Sequence, residues 1–131
     1  HLSLRRQRQM CIRDSSRLVS SPLAKILSSK SYNANVTVIH SKTSNQKQFI
    51  TQADIFISAV GSAKLYDSSY FKQGATIIDV GISSVDGKTY GDIDTQNISE
   101  VASYRSPFPG GVGPITVSAL FFNLSRLLKT N

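Results

Sequence analysis

The chain has 131 residues, 40% of them hydrophobic, and a formal net charge of +7, with a mean hydropathy of −0.12. These values suit one compact domain and exclude a disordered or collagen-like chain. No apolar run approaches the roughly 18 residues of a membrane span, and one cysteine, Cys11, excludes an internal disulfide or a cysteine-clustered zinc site and points to a reducing, cytoplasmic setting.

The basic excess sits at one end. Arg5, Arg6, Arg8, Arg13 and Arg17 fall within the first 17 residues, opposed there only by Asp14. A phosphate-binding arm is the sharper reading of this run; a solvated tail is the plainer one. Residues 1–15 show no period of 2 or 3.6 and no apolar core of a secretory signal. They are expected to be an atypical tail, non-native or disordered, ahead of a domain at 16–131. The remainder has an ordinary surface charge and lacks the aromatic-basic pattern of common RNA modules, so no nucleic-acid partner is expected.

From Ser16 the elements follow in a regular order. Pro22–Ser29 predicts a short helix, with Pro22 in its first position and Ser20 or Ser21 as cap. Val36–His40 is β-branched and predicts a strand. A polar loop leads into a helix ending near Gln52, and Asp54–Val60 predicts the next strand, closed by Gly61. Ser68–Lys72 predicts a helical turn. Ala75–Val80 is almost continuously apolar, as in strands buried on both faces. Lys88–Tyr90 followed by Gly91–Asp94 predicts a hairpin or edge excursion, Thr95–Ala102 a short helix capped by Thr95, and Tyr104–Ser106 a last strand. Thr116–Lys129 predicts the longest helix, with Val117, Leu120, Phe121, Leu124, Leu127 and Leu128 on one stripe. Strands alternating with helices imply βαβ units and a parallel sheet with right-handed crossovers. Ligands of such sheets bind beyond the carboxyl ends of the strands.

Those ends carry the chemistry. Ser41, Lys42 and Thr43 offer hydroxyls and a positive charge after a strand, suited to a ribose or its phosphate, with a polar turn as the plain alternative. The lack of a carboxylate there favours a 2′-phosphate, hence NADP over NAD. His40 has the chemistry of a general base, although a histidine in such a place is more often packed or hydrogen-bonded. Gly61 and Gly81 permit close approach to the backbone. Asp79, inside an apolar strand, needs buried partners, and a hydrogen-bonding role is expected of it ahead of catalysis. Pro107–Pro114 holds three prolines and three glycines in eight residues, a composition that a mere connection does not require. It leads into a helix whose first turn and Thr116 hydroxyl suit an anion or polar ligand. The G-x-G-x-x-G fingerprint is absent, and no metal site is indicated.

Four segments occur in order: Ala53–Gly61 (ADIFISAVG), Gly74–Ile82 (GATIIDVGI), Gly91–Asp94 (GDID) and Pro109–Thr116 (PGGVGPIT). Over roughly residues 16–129 the chain resembles the C-terminal, cofactor-binding domain of the bifunctional methylenetetrahydrofolate dehydrogenase/methenyltetrahydrofolate cyclohydrolase family. The resemblance implies a Rossmann-type α/β fold, a parallel sheet flanked by helices, that binds NADP or less often NAD. It implies an enzyme of one-carbon metabolism that oxidises 5,10-methylenetetrahydrofolate to the methenyl form and hydrolyses that to 10-formyltetrahydrofolate.

By this resemblance Ser16, Ser41, Thr43, Val60, Gly61, Gly81, Ile82 and Thr116 contact the cofactor, with Asp79 and Val80 beside them. Pro109, Gly110, Gly111 and Val112 line the folate side. A family segment Gly-Arg-Ser-x-x-Val-Gly-x-Pro falls on Asp14–Pro22, where only Ser16, Val19 and Pro22 match; Asp14 and Ser20 replace both glycines and Ser15 the arginine. The family's catalytic Tyr-x-x-x-Lys belongs to an N-terminal domain, and no tyrosine here has lysine four positions on. The resemblance therefore implies a fragment without catalytic residues of its own, from a cytoplasmic and homodimeric parent, with no membrane partner. A stand-alone dinucleotide-binding or regulatory module is the rival reading.

Overall fold

The computed structural model describes residues 8–14 and 17–129. The elements are β1 (Gln9–Asp14), α1 (Arg17–Leu27), β2 (Asn35–Ile39), α2 (Gln46–Gln52), β3 (Ile55–Ala59), β4 (Ala75–Asp79), β5 (Ser83–Val85), β6 (Lys88–Tyr90), β7 (Ala102–Arg105) and α3 (Val112–Leu128). Five strands form one parallel sheet in the order β2-β1-β3-β4-β7. β5 and β6 make a separate antiparallel hairpin around Asp86-Gly87, whose positive φ angles of 51° and 74° suit a two-residue hairpin turn. The expected Rossmann-type α/β architecture is present.

The largest correction concerns the expected tail. Residues 9–14 are an interior strand, paired with β2 on one side and β3 on the other. Met10, Cys11 and Ile12 are buried, and burial pushes the Cys11 thiol up to about 12. Six residues are too few for a period to show, and Arg13 and Asp14 break the apolar run. Pairing on both edges satisfies the strand's main-chain groups, and that is a tertiary effect. Residues 1–7, 15 and 16 lie outside the described residues, and with them the expected arm and Ser16.

Three helices depart from expectation. α1 begins at Arg17, so Pro22 is its sixth residue. A proline there deprives the Leu18 carbonyl of its helical donor. Both residues lie on the exposed side, where water can replace that donor. The segment after Thr95 is a single 3-10 turn at Ile98–Glu100, because Asn97 enters it in the left-handed region at φ 58°; Ile98 pins it to the core. α3 starts at Val112, inside the glycine-rich loop, and not at Thr116.

The core lies where α2 and the β3–β4 connection meet the sheet. Phe56 on β3 stacks edge-on against Tyr66 at 5.3 Å and tilts against Phe71 at 5.4 Å, with Ile39, Ile50, Ile77, Ile93 and Ile98 packed around them. Asp54 secures the opposite edge, accepting from the Gln9 amide at 2.8 Å and pairing with Lys72. β4 alternates buried and half-buried residues, so its second face is only partly covered, unlike the expected strand buried on both. α3 has no buried residue, and its apolar stripe is exposed, with Leu120 67% and Leu127 69% accessible.

Candidate functional site

Because all five strands run parallel, their carboxyl ends meet at one edge. Pairing aligns Arg13 with Ile39, Asp14 with Ala59, Ser58 with Asp79 and Ile77 with Arg105. The loops that follow β2, β3, β4 and β7 therefore lie along a single edge of the sheet, which gathers most of the residues that the sequence marks out.

After β2 the chain turns tightly. Thr43 Oγ1 accepts from the His40 amide at 3.0 Å, and His40 Nδ1 accepts from the Lys42 amide at 3.2 Å. His40 is thus held within its own turn, as the plainer reading of it expects. Ser41 and Thr43 line an open cleft of about 500 Å³ together with Arg13, Gln46, Lys47 and Tyr66. Arg13 is 5% exposed; its Nε donates to Gln46 Oε1 at 3.2 Å and its Nη1 to the Asp14 carbonyl at 3.1 Å. Burial raises the Tyr66 hydroxyl above its ordinary pKa, with Arg13 pulling it back.

The ends of β3 and β4 are shaped from beneath by two buried carboxylates. Asp92, fully buried, accepts from Ser58 Oγ at 2.6 Å, the Val60 amide at 2.7 Å and the Ser62 amide at 2.9 Å. Asp79 accepts from the amides of Gly81, Asp92 and Ile93, each at 3.1 Å. Burial pushes the Asp79 carboxyl above the usual range, and these amide bonds oppose the rise. Two glycines make the arrangement possible. A Cβ on Gly81 would lie 2.0 Å from Asp92 Oδ1, and one on Gly91 would lie 2.1 Å from Asp79 Oδ2. Gly61 turns at φ 73°, facing the Ile82 carbonyl. Val60, Gly61, Gly81 and Ile82 thus sit side by side, with Ile82 62% exposed.

The proline-glycine loop joins the same edge through Ser106, whose buried Oγ accepts from the Asp79 amide at 2.8 Å. The Phe108–Pro109 peptide is cis and Gly110 takes φ 93°. Gly111 lies so close to the Pro107 carbonyl that a Cβ would sit 2.2 Å from it. Pro109 and Gly110 are exposed, Gly111 and Val112 half-buried. Thr116 departs from expectation: α3 starts four residues earlier, so Thr116 stands in the second turn, where its hydroxyl donates to the Val112 carbonyl at 3.0 Å.

After β1, Asp14 Oδ2 accepts from the Ser20 amide in the first turn of α1 at 2.9 Å. Both residues are buried. Among the described residues, no group of His, Cys, Asp and Glu is placed to hold a metal ion, and no helix is long and apolar enough to cross a membrane.

Sequence reasoning singled out neither Asp92 nor Arg13 as a site residue. The signal for Asp92 was its place between Gly91 and the apolar Ile93, which asks for a buried turn. Arg13 was hidden by its assignment to the tail.

A doubly wound parallel sheet with glycine loops and hydroxyls at its carboxyl edge has the architecture of nucleotide-binding α/β domains. Within that class the chain belongs to the tetrahydrofolate dehydrogenase/cyclohydrolase NAD(P)-binding domain family, whose model matches residues 3–131. It is 45% identical over 114 residues to the bifunctional protein FolD of Halalkalibacterium halodurans, covering 87% of this chain and 40% of that protein. The structure is similar to the bifunctional dehydrogenase/cyclohydrolase of Campylobacter jejuni, with a TM-score of 0.88, 36% identity, and coverage of 95% of this chain and 44% of that one. It is also similar to the Trypanosoma brucei enzyme complexed with NADP and an inhibitor, with a TM-score of 0.84, 32% identity, and coverage of 94% and 44%. The chain spans about 40% of the length of the curated relatives that it matches.

Proposed function

We propose that this chain is the cofactor-binding half of an enzyme that oxidises 5,10-methylenetetrahydrofolate with NADP and hydrolyses the methenyl product to 10-formyltetrahydrofolate. The observation that carries this reading is the meeting of four sequence-distant segments at one sheet edge, locked by Asp79, Asp92 and Ser106. NADP supplies the hydride acceptor when bound. Ser41 and Thr43 suit its adenosine ribose and 2′-phosphate, and Arg13 adds a buried positive charge to their cleft. The absence of an acidic side chain after β2 favours the 2′-phosphate. Val60, Gly61, Gly81 and Ile82 suit the nicotinamide half. Thr116 belongs with them only through its place in α3, since its hydroxyl is spent within that helix. Pro109, Gly110, Gly111 and Val112 face the folate. The residues fit a dinucleotide at the ends of β2, β3 and β4, while Asp14, at the end of β1, has its carboxylate on the Ser20 amide.

Catalytic groups for both steps come from outside this chain, which has no Tyr-x-x-x-Lys. A homodimeric parent and a cytoplasmic location are parts of the same reading and rest on the family resemblance. Calorimetric titration with NADP and NAD tests it. Saturable binding with NADP preferred is expected; a folded chain that binds neither cofactor nor the adenosine 2′-phosphate fragment of NADP would sink it. In an assay with the folate substrate this chain alone should produce no NADPH above background, and measurable production would place catalytic groups within these 131 residues.

A further inference from the structure

Of the four segments that carry the family resemblance, Gly91–Asp94 alone supplies no residue to the proposed cofactor and folate contacts. Asp92 within it is 0% exposed, so its carboxylate does not meet a ligand itself. It meets both loops that suit the nicotinamide half. Oδ2 accepts from the Val60 amide at 2.7 Å and Oδ1 from the Ser62 amide at 2.9 Å, so one carboxylate grips the chain on either side of Gly61. Gly61 turns at φ 73°, a left-handed bend that the two bonds brace. The same carboxylate fills the space beside Gly81, where a Cβ would lie 2.0 Å from Oδ1. It thereby sets how near the loop after β4 lies to the loop after β3.

This side chain is held from behind. The Asp92 amide donates to Asp79 Oδ1 at 3.1 Å, the Asp92 carbonyl accepts from the Tyr66 amide at 3.1 Å, and Ser58 Oγ donates to Oδ2 at 2.6 Å. Hydrogen bonds to an ionised acceptor are the stronger kind, and burial strengthens them further. Tyr66 also lines the cleft that Ser41 and Thr43 share, but its amide is bonded to the Asp92 main chain, which a side-chain substitution leaves in place.

We propose that Asp92 is a positioning residue for the nicotinamide half of the cofactor. By gripping Val60 and Ser62 and filling the room beside Gly81, it fixes the spacing of the two loops that receive the ring, and it leaves the adenosine half to the loop after β2. This deepens the cofactor-binding reading above and rests on it.

Calorimetry on the full chain, wild type and Asp92→Asn, tests it with NADP and with adenosine 2′,5′-bisphosphate, which has no nicotinamide half; circular dichroism checks folding. Asn fills the same space, but one of its two ends is an NH2 that must face donors. Asp92→Asn should weaken NADP binding at least about tenfold, roughly 1.4 kcal/mol, and change adenosine 2′,5′-bisphosphate affinity by less than about twofold. A general structural defect would weaken both alike. If the variant does not fold, NMR on the wild type decides: saturating NADP should move the Asp92 carboxyl carbon and the Val60 and Ser62 amide resonances, and adenosine 2′,5′-bisphosphate should leave them in place. Equal effects on the two ligands, binding of adenosine 2′,5′-bisphosphate without NADP, or resonances that NADP does not move would overturn the positioning role and leave the cofactor reading standing. A folded wild type that binds neither ligand would overturn both.

Discussion

The two halves of the carboxyl edge use buried aspartates in opposite senses. At the ends of β3 and β4, Asp79 and Asp92 gather loop amides and the hydroxyl of Ser58 on β3. Glycines at 81 and 91 give those carboxylates room. At β1, Asp14 takes an amide of the helix start itself. One half spends its carboxylates on holding loops together; the other spends one on the start of α1. An aspartate at a strand end is therefore not a single functional signal. What matters is which donors the topology brings to it.

The sharpest way to break this contrast is to remove Asp92. Asp92→Ala leaves Ser58 Oγ and the amides of Val60 and Ser62 without their acceptor, and buried unsatisfied donors are costly. We expect a loss of about 3–5 kcal/mol, read as a fall in the urea midpoint. A loss below about 1 kcal/mol would show that these loops do not depend on the carboxylate. Gly91→Ala attacks the same cluster by steric means. Its new Cβ would fall 2.1 Å from Asp79 Oδ2, and overpacking of this kind should cost about 1–3 kcal/mol; a variant as stable as wild type would show a cluster free to relax.

Asp79 gives a pH signature. Burial raises its carboxyl in the folded state, so the native protein holds this proton more tightly than the unfolded chain, whose value lies near 3.9. The contribution of Asp79 to stability is present below that value and is lost as pH rises through the folded pKa. Carbon-detected NMR titration should place Asp79 above the ordinary range. Asp67 should titrate below it, because its carboxylate accepts from the Ser69 hydroxyl and amide. A normal midpoint for Asp79 would deny its desolvation. The smallest effect is expected at Asp14: Asp14→Ala removes one acceptor of the Ser20 amide, worth about 1 kcal/mol. A loss as large as that of Asp92→Ala would make the two halves equivalent and end the comparison.

The sequence determined the alternation of strands and helices, because β-branched and apolar runs such as Val36–Ile39 and Ala75–Ile78 are local patterns that read the same in any context. It also marked the proline-glycine loop, whose composition restricts φ directly, and it named most of the residues that meet at the carboxyl edge. Tertiary structure decided the rest. Gln9–Asp14 is a strand because β2 and β3 flank it, a fact of pairing and not of composition. α1 runs back to Arg17 because its start lies against the end of β1, where Asp14 supplies an acceptor. Asp92 came to matter only when folding laid its carboxylate beneath Ser58, Val60 and Ser62, which lie 30 to 34 residues away in the chain. Local propensity acts over a few residues; a buried charge takes its meaning from whichever donors the topology delivers to it.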